Sequence, residues 1–218
     1  MNPADAAARY LRPGTLQLAE QPPLSLYVHL PWCLKKCPYC DFNSHELKAS
    51  AHPRPGHAPA APSVRGAPAL AVQGQGEPAF ARYLDALRCD LESALPLVWG
   101  RRVVSVFIGG GTPSLFAPGE IERLLADIRA LLPLEAGSEI TLEANPGTFE
   151  RDRFRGYRDA GVTRLSVGVQ SFDDAMLAAL GRVHDGAQAR AALAEARAVF
   201  ETFNIDLMYA LPGQTPAA

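Results

Sequence analysis

The sequence has no apolar run approaching the ~20 residues needed to span a bilayer, so no membrane-spanning helix is expected. It also lacks a charge bias. Its 21 basic and 23 acidic residues leave a formal net charge of −2, which gives no electrostatic footprint for nucleic acid. Residues 1–14 mix Arg, Asp, Pro and Ala with no apolar core segment, unlike a secretory signal, and a cytoplasmic location is the expectation. Cysteines are few, four in 218 residues, and three of them are clustered, which argues against the disulfide framework of a secreted domain. A reducing compartment and a metal fit them better. Neither G-x-G-x-x-G nor G-x-x-x-x-G-K-[ST] occurs, so dinucleotide-fold and P-loop readings fail.

The clustered thiols are Cys33, Cys37 and Cys40, spaced C-x3-C-x2-C after the alternating run Leu24 to Leu30. Leu24, Leu26, Val28 and Leu30 share one face of a predicted strand, with Ser25, Tyr27 and His29 on the other. Pro31 ends the strand, so the thiols belong to a loop at its end, running to about His45. Grouped thiolates are soft ligands suited to zinc or to iron–sulfur clusters. Structural zinc sites close a four-ligand tetrahedron, commonly from two C-x2-C pairs. Here one loop supplies three ligands and no fourth follows. Cys89 falls off the apolar stripe of its helix and reads as an incidental thiol. By parity His29 lies beside the thiol loop, as a hydrogen-bonding supporter of it, and His45 reads as a loop-capping residue.

Residues 1–23 are Ala- and Pro-rich and read as a lead-in. Residues 49–78 scatter six prolines among Ala, Gly and Gln, with too little apolar surface to offset ordering, and read as a flexible insertion. Its His52 and His57 read as solvated loop histidines. From Phe80 on, helix and strand patterns alternate. Phe80, Leu84, Leu87, Leu91 and Leu95 recur at helical spacing, and Val103 to Ile108 is a short β-branched run. A helix is predicted over 118–132, a strand over 139–143, a helix over 149–160 and a strand over 163–169. A short helix over 173–180, a longer one over 186–200 and a strand over 204–208 complete the series. This alternation predicts an α/β fold with parallel strands, a barrel or an open doubly wound sheet. Five strands without a closing element predict a partial barrel, with any C-terminal domain absent from this chain.

Strand parity adds a functional pattern. Leu26, Val28, Ile140, Leu142, Leu165, Val167, Val169, Ile205 and Leu207 are expected under the helices. The opposite face carries Tyr27, His29, Thr141, Glu143, Ser166, Gly168, Gln170, Asn204 and Asp206. In a parallel barrel this second set points inward, its last members nearing the C-terminal rim where such folds place their sites. Unpaired inward carboxylates are costly, so a ligand with cationic and hydrogen-bonding groups is expected among them. The run Gly109-Gly110-Gly111-Thr112 is expected to follow the second strand as a turn that lets a ligand approach the backbone closely.

Together, C-x3-C-x2-C after the first strand, a glycine-rich turn after the second and a glutamate ending the third resemble the radical S-adenosylmethionine (SAM) superfamily. Several segments narrow the likeness to the oxygen-independent coproporphyrinogen III oxidase group and, within it, to the HemW branch of heme chaperones. They are Tyr27–Cys33, Cys37–His45, Phe107–Ser114, Glu143–Gly147, Gly168–Phe172 and Asn204–Met208. The resemblance runs from about Leu24 to Gln214, interrupted by the insertion. It implies a [4Fe-4S] cluster on Cys33, Cys37 and Cys40, with one iron open to the amino and carboxylate groups of SAM. In the superfamily an electron from the cluster cleaves SAM to a 5′-deoxyadenosyl radical. The likeness further implies that Tyr27, Tyr39, Gly110 and Glu143 contact this SAM. Gly111, Thr112, Gln170, Arg182 and Asp206 match positions that hold a second SAM in the oxidases. The implied partners are heme or porphyrin, a heme-accepting protein that could bring the chain transiently to a membrane, and an electron donor.

One departure separates the branches. The oxidases resemble C-x3-C-x2-C-x-C, and here the added cysteine position is Phe42. Heme binding is therefore expected rather than coproporphyrinogen decarboxylation, with SAM cleavage left open. The oxidase and a zinc-stabilised binding module stand as rival expectations. The C-terminal region, which contributes to heme or porphyrin binding in the family, is expected to lie outside this chain.

Overall fold

The computed structural model describes residues 21–47, 79–211 and 213–215. The expected insertion at 49–78 lies outside them, as does most of the expected lead-in at 1–23. Among the described residues are two short strands and five longer ones. The longer strands are β1 (Leu24–Leu30), β4 (Val103–Gly110), β5 (Leu134–Ala144), β6 (Arg164–Gln170) and β7 (Thr202–Leu207). They form one sheet in the order β1-β4-β5-β6-β7, every neighbouring pair parallel. The short strands β2 (Trp32–Cys33) and β3 (His45–Glu46) pair with each other in parallel. The fold is α/β, and the open five-stranded parallel sheet is a partial barrel.

The helices are α1 (Ala79–Val98), α2 (Pro118–Leu131), α3 (Thr148–Arg151), α4 (Phe154–Ala160), α5 (Asp174–Ala179) and α6 (Gly186–Val199). Helix α1 packs on α2, α2 on α4 and α4 on α6, so each crossover lies beside the next. The predicted stripe of α1 faces the core, with Leu84 buried and Phe80, Leu87, Leu91 and Leu95 packed against it. Helix α2 buries Ile121, Leu124, Leu125 and Ile128, as its periodicity predicts. Inner strand positions Val106, Ile108, Leu142, Leu165, Val167 and Val169 complete this core. Ion pairs between α1 and α2 (Arg88–Asp127 and Arg123–Asp85) lie at the surface, with only Asp127 half-buried, and such surface pairs contribute ~1 kcal/mol at most. No helix among the described residues is long and apolar enough to cross a membrane.

Three local expectations are corrected. The helix predicted over 149–160 is two helices, α3 and α4, broken around Asp152 and Arg153. At the break Arg153 turns its Nη1 onto the carbonyls of Leu115 (2.9 Å) and Phe116 (3.2 Å), and Tyr157 Oη donates toward those of Ser114 (2.7 Å) and Phe116 (2.9 Å). These carbonyls belong to the 3-10 turn Pro113–Leu115 and its end, and the side-chain donors satisfy them where a continuous helix would not. Next, Gly109 and Gly110 are the last residues of β4, paired with His29 and Leu30, so the glycine run is strand before it is turn. Finally, Ile205 and Leu207 are exposed instead of lying under a helix: β7 is an edge strand, and on that face it is Phe203 that packs against the core.

Tyr157 is fully buried, and burial pushes its phenol pKa up to about 12. It therefore keeps its proton, and its capacity to donate, at any physiological pH. Tyr157→Phe deprives two buried carbonyls of that donor and is expected to cost about 1–2 kcal/mol, read as a lower urea midpoint at unchanged slope.

Candidate functional site

The cysteine loop is clamped at its base. β2 and β3 hold its two ends side by side, joined by His45 N–H to Pro31 O (2.7 Å) and Leu47 N–H to Cys33 O (2.9 Å). Within it, Lys36 donates its backbone N–H to Glu46 Oε1 (2.8 Å) and its Nζ to the carbonyls of Phe42 (3.2 Å) and Ser44 (3.4 Å). His29 Nε2 reaches Asn43 O at 2.8 Å. A carbonyl only accepts, so Nε2 carries a proton, and Nδ1 faces Tyr27 Oη at 3.0 Å. His29 thus supports the thiol loop, as parity predicts. Trp32 packs among Phe80, Tyr83 and Phe116, and Tyr83 Oη donates to His29 O (2.8 Å), anchoring the loop to α1.

Over the strand ends lies a cavity of ≈ 380 Å³. Cys33, Cys37 and Cys40 line it, as do Tyr39, Gly110, Gly111, Thr112, Glu143, Gln170, Arg182 and Asp206. Tyr27 does not. Its ring stacks on Phe107, it is 57 % exposed, and its hydroxyl is turned to His29. Cys89 stands exposed on α1.

Glu143 Oε2 accepts the N–H of Gly110 at 3.0 Å. Gly110 has φ +119, and a Cβ there would meet the His29 ring at 2.8 Å and Leu30 O at 2.9 Å. Only glycine lets β4 press against β1 while aiming this N–H at the carboxylate. Burial pushes the Glu143 carboxyl above the ordinary range and Asp206 adds to it, while the Gly110 N–H and His29 oppose. Asp206 is itself steadied by Ser166 Oγ (3.2 Å) and Asn204 Nδ2 (2.6 Å). Two carboxylates facing one cavity favour a cationic ligand. Gln170 adopts φ +66, a left-handed conformation that costs about 1–3 kcal/mol and places strain at the rim. Burial pushes the Cys33 thiol up, opposed by hydrogen bonds from Thr112 and Ser44.

Arg182 is presented by a helix end. Gly181, at φ +69, closes α5 with Gly181 N–H to Ala178 O (3.0 Å) and Arg182 N–H to Leu177 O (2.9 Å), the Schellman arrangement. A Cβ on Gly181 would press on Pro38 of the cysteine loop at 2.9 Å. Asn145 is the residue that sequence reasoning left without a role. It donates Nδ2 to Thr112 Oγ1 (3.1 Å) and accepts from Arg182 Nη2 at Oδ1 (2.6 Å). Its place two residues past Glu143, beyond the strand end, was the available signal, but parity stops where the strand stops. Lys35 and Phe42 also line the cavity.

His184 is buried, its Nε2 3.1 Å from Val169 O and its Nδ1 without a partner among the described residues. Burial and the neighbouring Arg182 charge lower its pKa from 6.5 to about 4. The unfolded chain binds this proton first, so the stability His184 contributes is full above about 6.5 and falls as pH drops toward 4. His184→Gln should flatten that part of the stability–pH curve, measured by urea unfolding at stepped pH.

Among the described residues no three Cys, His, Asp or Glu side chains are gathered to hold a single metal ion. Three thiols facing one cavity suit a cluster, in which each thiolate takes its own iron.

A family described as the radical SAM superfamily matches residues 27–218. The chain is 44% identical over 199 residues to the "Heme chaperone HemW" of Escherichia coli (strain K12), covering 91% of this chain and 46% of that protein. It is 39% identical over 191 residues to "Radical S-adenosyl methionine domain-containing protein 1, mitochondrial" of Bos taurus, covering 87% and 37%. Among solved structures it resembles the coproporphyrinogen III oxidase HemN of Escherichia coli, described as a radical SAM enzyme. The TM-score is 0.70 at 33% identity, with 89% of this chain and 39% of that one covered. The chain thus spans under half the length of these relatives.

Proposed function

The chain belongs to the radical SAM superfamily, and from that premise we propose that it carries a [4Fe-4S] cluster on Cys33, Cys37 and Cys40, binds SAM against it and handles heme as a chaperone. The observation that carries the first part is one cavity faced by all three thiols and by Glu143 with its Gly110 N–H. A bound cluster supplies one electron to SAM. The protein's own groups do the positioning. Glu143, steadied by the Gly110 N–H, suits the amino group of the ligand, and the second carboxylate, Asp206, favours its positive charge. Tyr27 would join this set only by leaving His29 and turning its ring inward. The reading places the protein in the cytoplasm, with an electron donor and a heme-accepting protein as partners.

Heme handling is supported by the relatives named heme chaperones and by Phe42, which walls the cavity next to the cysteine loop and stands where the oxidases add a cysteine. Phe42 is 59 % exposed, an apolar surface at the mouth that a flat macrocycle can cover. Heme titration of the reconstituted protein, with and without cluster, should give saturable binding; its absence under both conditions would sink the heme reading. The second reading, oxidative decarboxylation of coproporphyrinogen III, draws on the likeness to the solved oxidase. Porphyrin product formed with SAM consumption, and lost in Cys37→Ala, would establish it instead.

A further inference from the structure

Arg182 occupies a position that holds a second SAM in the related oxidases, yet in this chain its guanidinium is largely committed within the protein. Nη2 donates to Asn145 Oδ1 at 2.6 Å and to the carbonyl of Gly168 at 2.7 Å, which uses both of its hydrogens. Nη1 donates to Cys37 Sγ at 3.6 Å. Nε is buried and has no partner among the described residues. The Tyr39 hydroxyl lies against the same two groups, Arg182 and Cys37.

We propose that Arg182 serves the cluster: it holds a positive charge and a hydrogen bond on the Cys37 thiolate and so raises the reduction potential of the cluster. Asn145 is its positioning residue. This role presupposes the cluster proposed for Cys33, Cys37 and Cys40.

Charge is the physical cause. Reduction adds an electron to the cluster, and a cation on a ligand sulfur stabilises the reduced state more than the oxidised one. Hydrogen bonds to the sulfurs, net charge and solvent exposure set the potentials of such clusters. The guanidinium is planar and presents its donors in a fixed fork, which holds the charge at a set position against the sulfur. Its direction is set from two sides. The Schellman turn at Gly181 fixes the backbone, and Asn145, tied to Thr112, fixes the fork.

The test is a redox titration of the anaerobically reconstituted protein without SAM, followed by electron paramagnetic resonance, with iron and sulfide measured for every variant. Arg182→Gln should assemble a full cluster whose midpoint is more negative than that of the parent. Arg182→Lys, which keeps the charge and loses the fork, should fall between the two. Asn145→Ala should move the midpoint the same way by less than Arg182→Gln, a shift that a merely structural role would not produce. Full clusters with an unchanged midpoint in Arg182→Gln would overturn the inference while leaving the cluster assignment intact. The inference is equally overturned if Arg182→Gln changes only the number of SAM molecules bound. If the parent protein itself takes up no iron and sulfide, the cluster assignment and the inference fall together.

Discussion

Cys37→Ala is expected to leave the reconstituted protein without a [4Fe-4S] cluster. The loop supplies three thiols, and among the described residues the only other one, Cys89, stands exposed on α1, outside the lining of the cavity. Two thiolates leave two irons without protein ligands instead of one. Loss of a supporting hydrogen bond around a metal ligand already costs roughly 10–100-fold in affinity. Loss of the ligand itself should exceed that, so iron and sulfide should fall to background and the cluster absorption should vanish. Cys89→Ala is the matched control and should retain the parent content. The fold should survive Cys37→Ala, because Cys37 is only half-buried and the loop is clamped by β2–β3, Lys36 and His29 rather than by its thiols. Full cluster content in Cys37→Ala would remove the assignment. Assembly should also weaken at lower pH, since burial holds the Cys33 thiol protonated and a ligand must lose its proton.

Much of this site is legible in the sequence, because two periodicities carry most of it. The period-2 alternation of β1, β5, β6 and β7 assigns Glu143, Ser166, Gln170 and Asp206 to one face, and all four line the cavity. Tyr27 shows the limit of parity. Alternation sets the face of the sheet, but rotamer and partner choose where a ring goes, and Tyr27 stacks on Phe107 and bonds His29. The α3–α4 break is not legible either, since nothing local to Asp152 and Arg153 announces it. It follows from carbonyls at residues 114–116, far away in sequence, that draw in Arg153 and Tyr157. The exposed Ile205 and Leu207 make the same point in reverse. Alternation marks which side chains could be covered, and only the tertiary arrangement decides whether an element covers them.

Glu143→Gln is expected to separate the stability of the site from its use. In the SAM-free protein the Glu143 carboxylate is driven up by burial and by Asp206, so the folded state holds its proton more tightly than the unfolded chain. A carboxyl shifted upward contributes its stability fully below its unfolded pKa and loses it as pH rises through the folded value. At neutral pH the ionised group is therefore a cost to the fold. Glutamine can still accept the Gly110 N–H through its amide oxygen and carries no charge, so the variant should gain up to about 1 kcal/mol at pH 7. The gain should disappear in acid, where both proteins hold a neutral side chain. Binding should move the other way. A hydrogen bond to a charged group contributes about 1.5–3 kcal/mol, and each 1.4 kcal/mol is about tenfold, so SAM affinity should drop roughly 10–100-fold. Calorimetry with the reconstituted protein reads the affinity, and urea unfolding at two pH values reads the stability. A variant that loses stability at pH 7 while binding SAM as tightly as the parent would show that Glu143 holds the barrel end together and does not face the ligand. The opposite pair, a firmer fold with a weaker grip, is what a carboxylate kept for a cationic ligand requires.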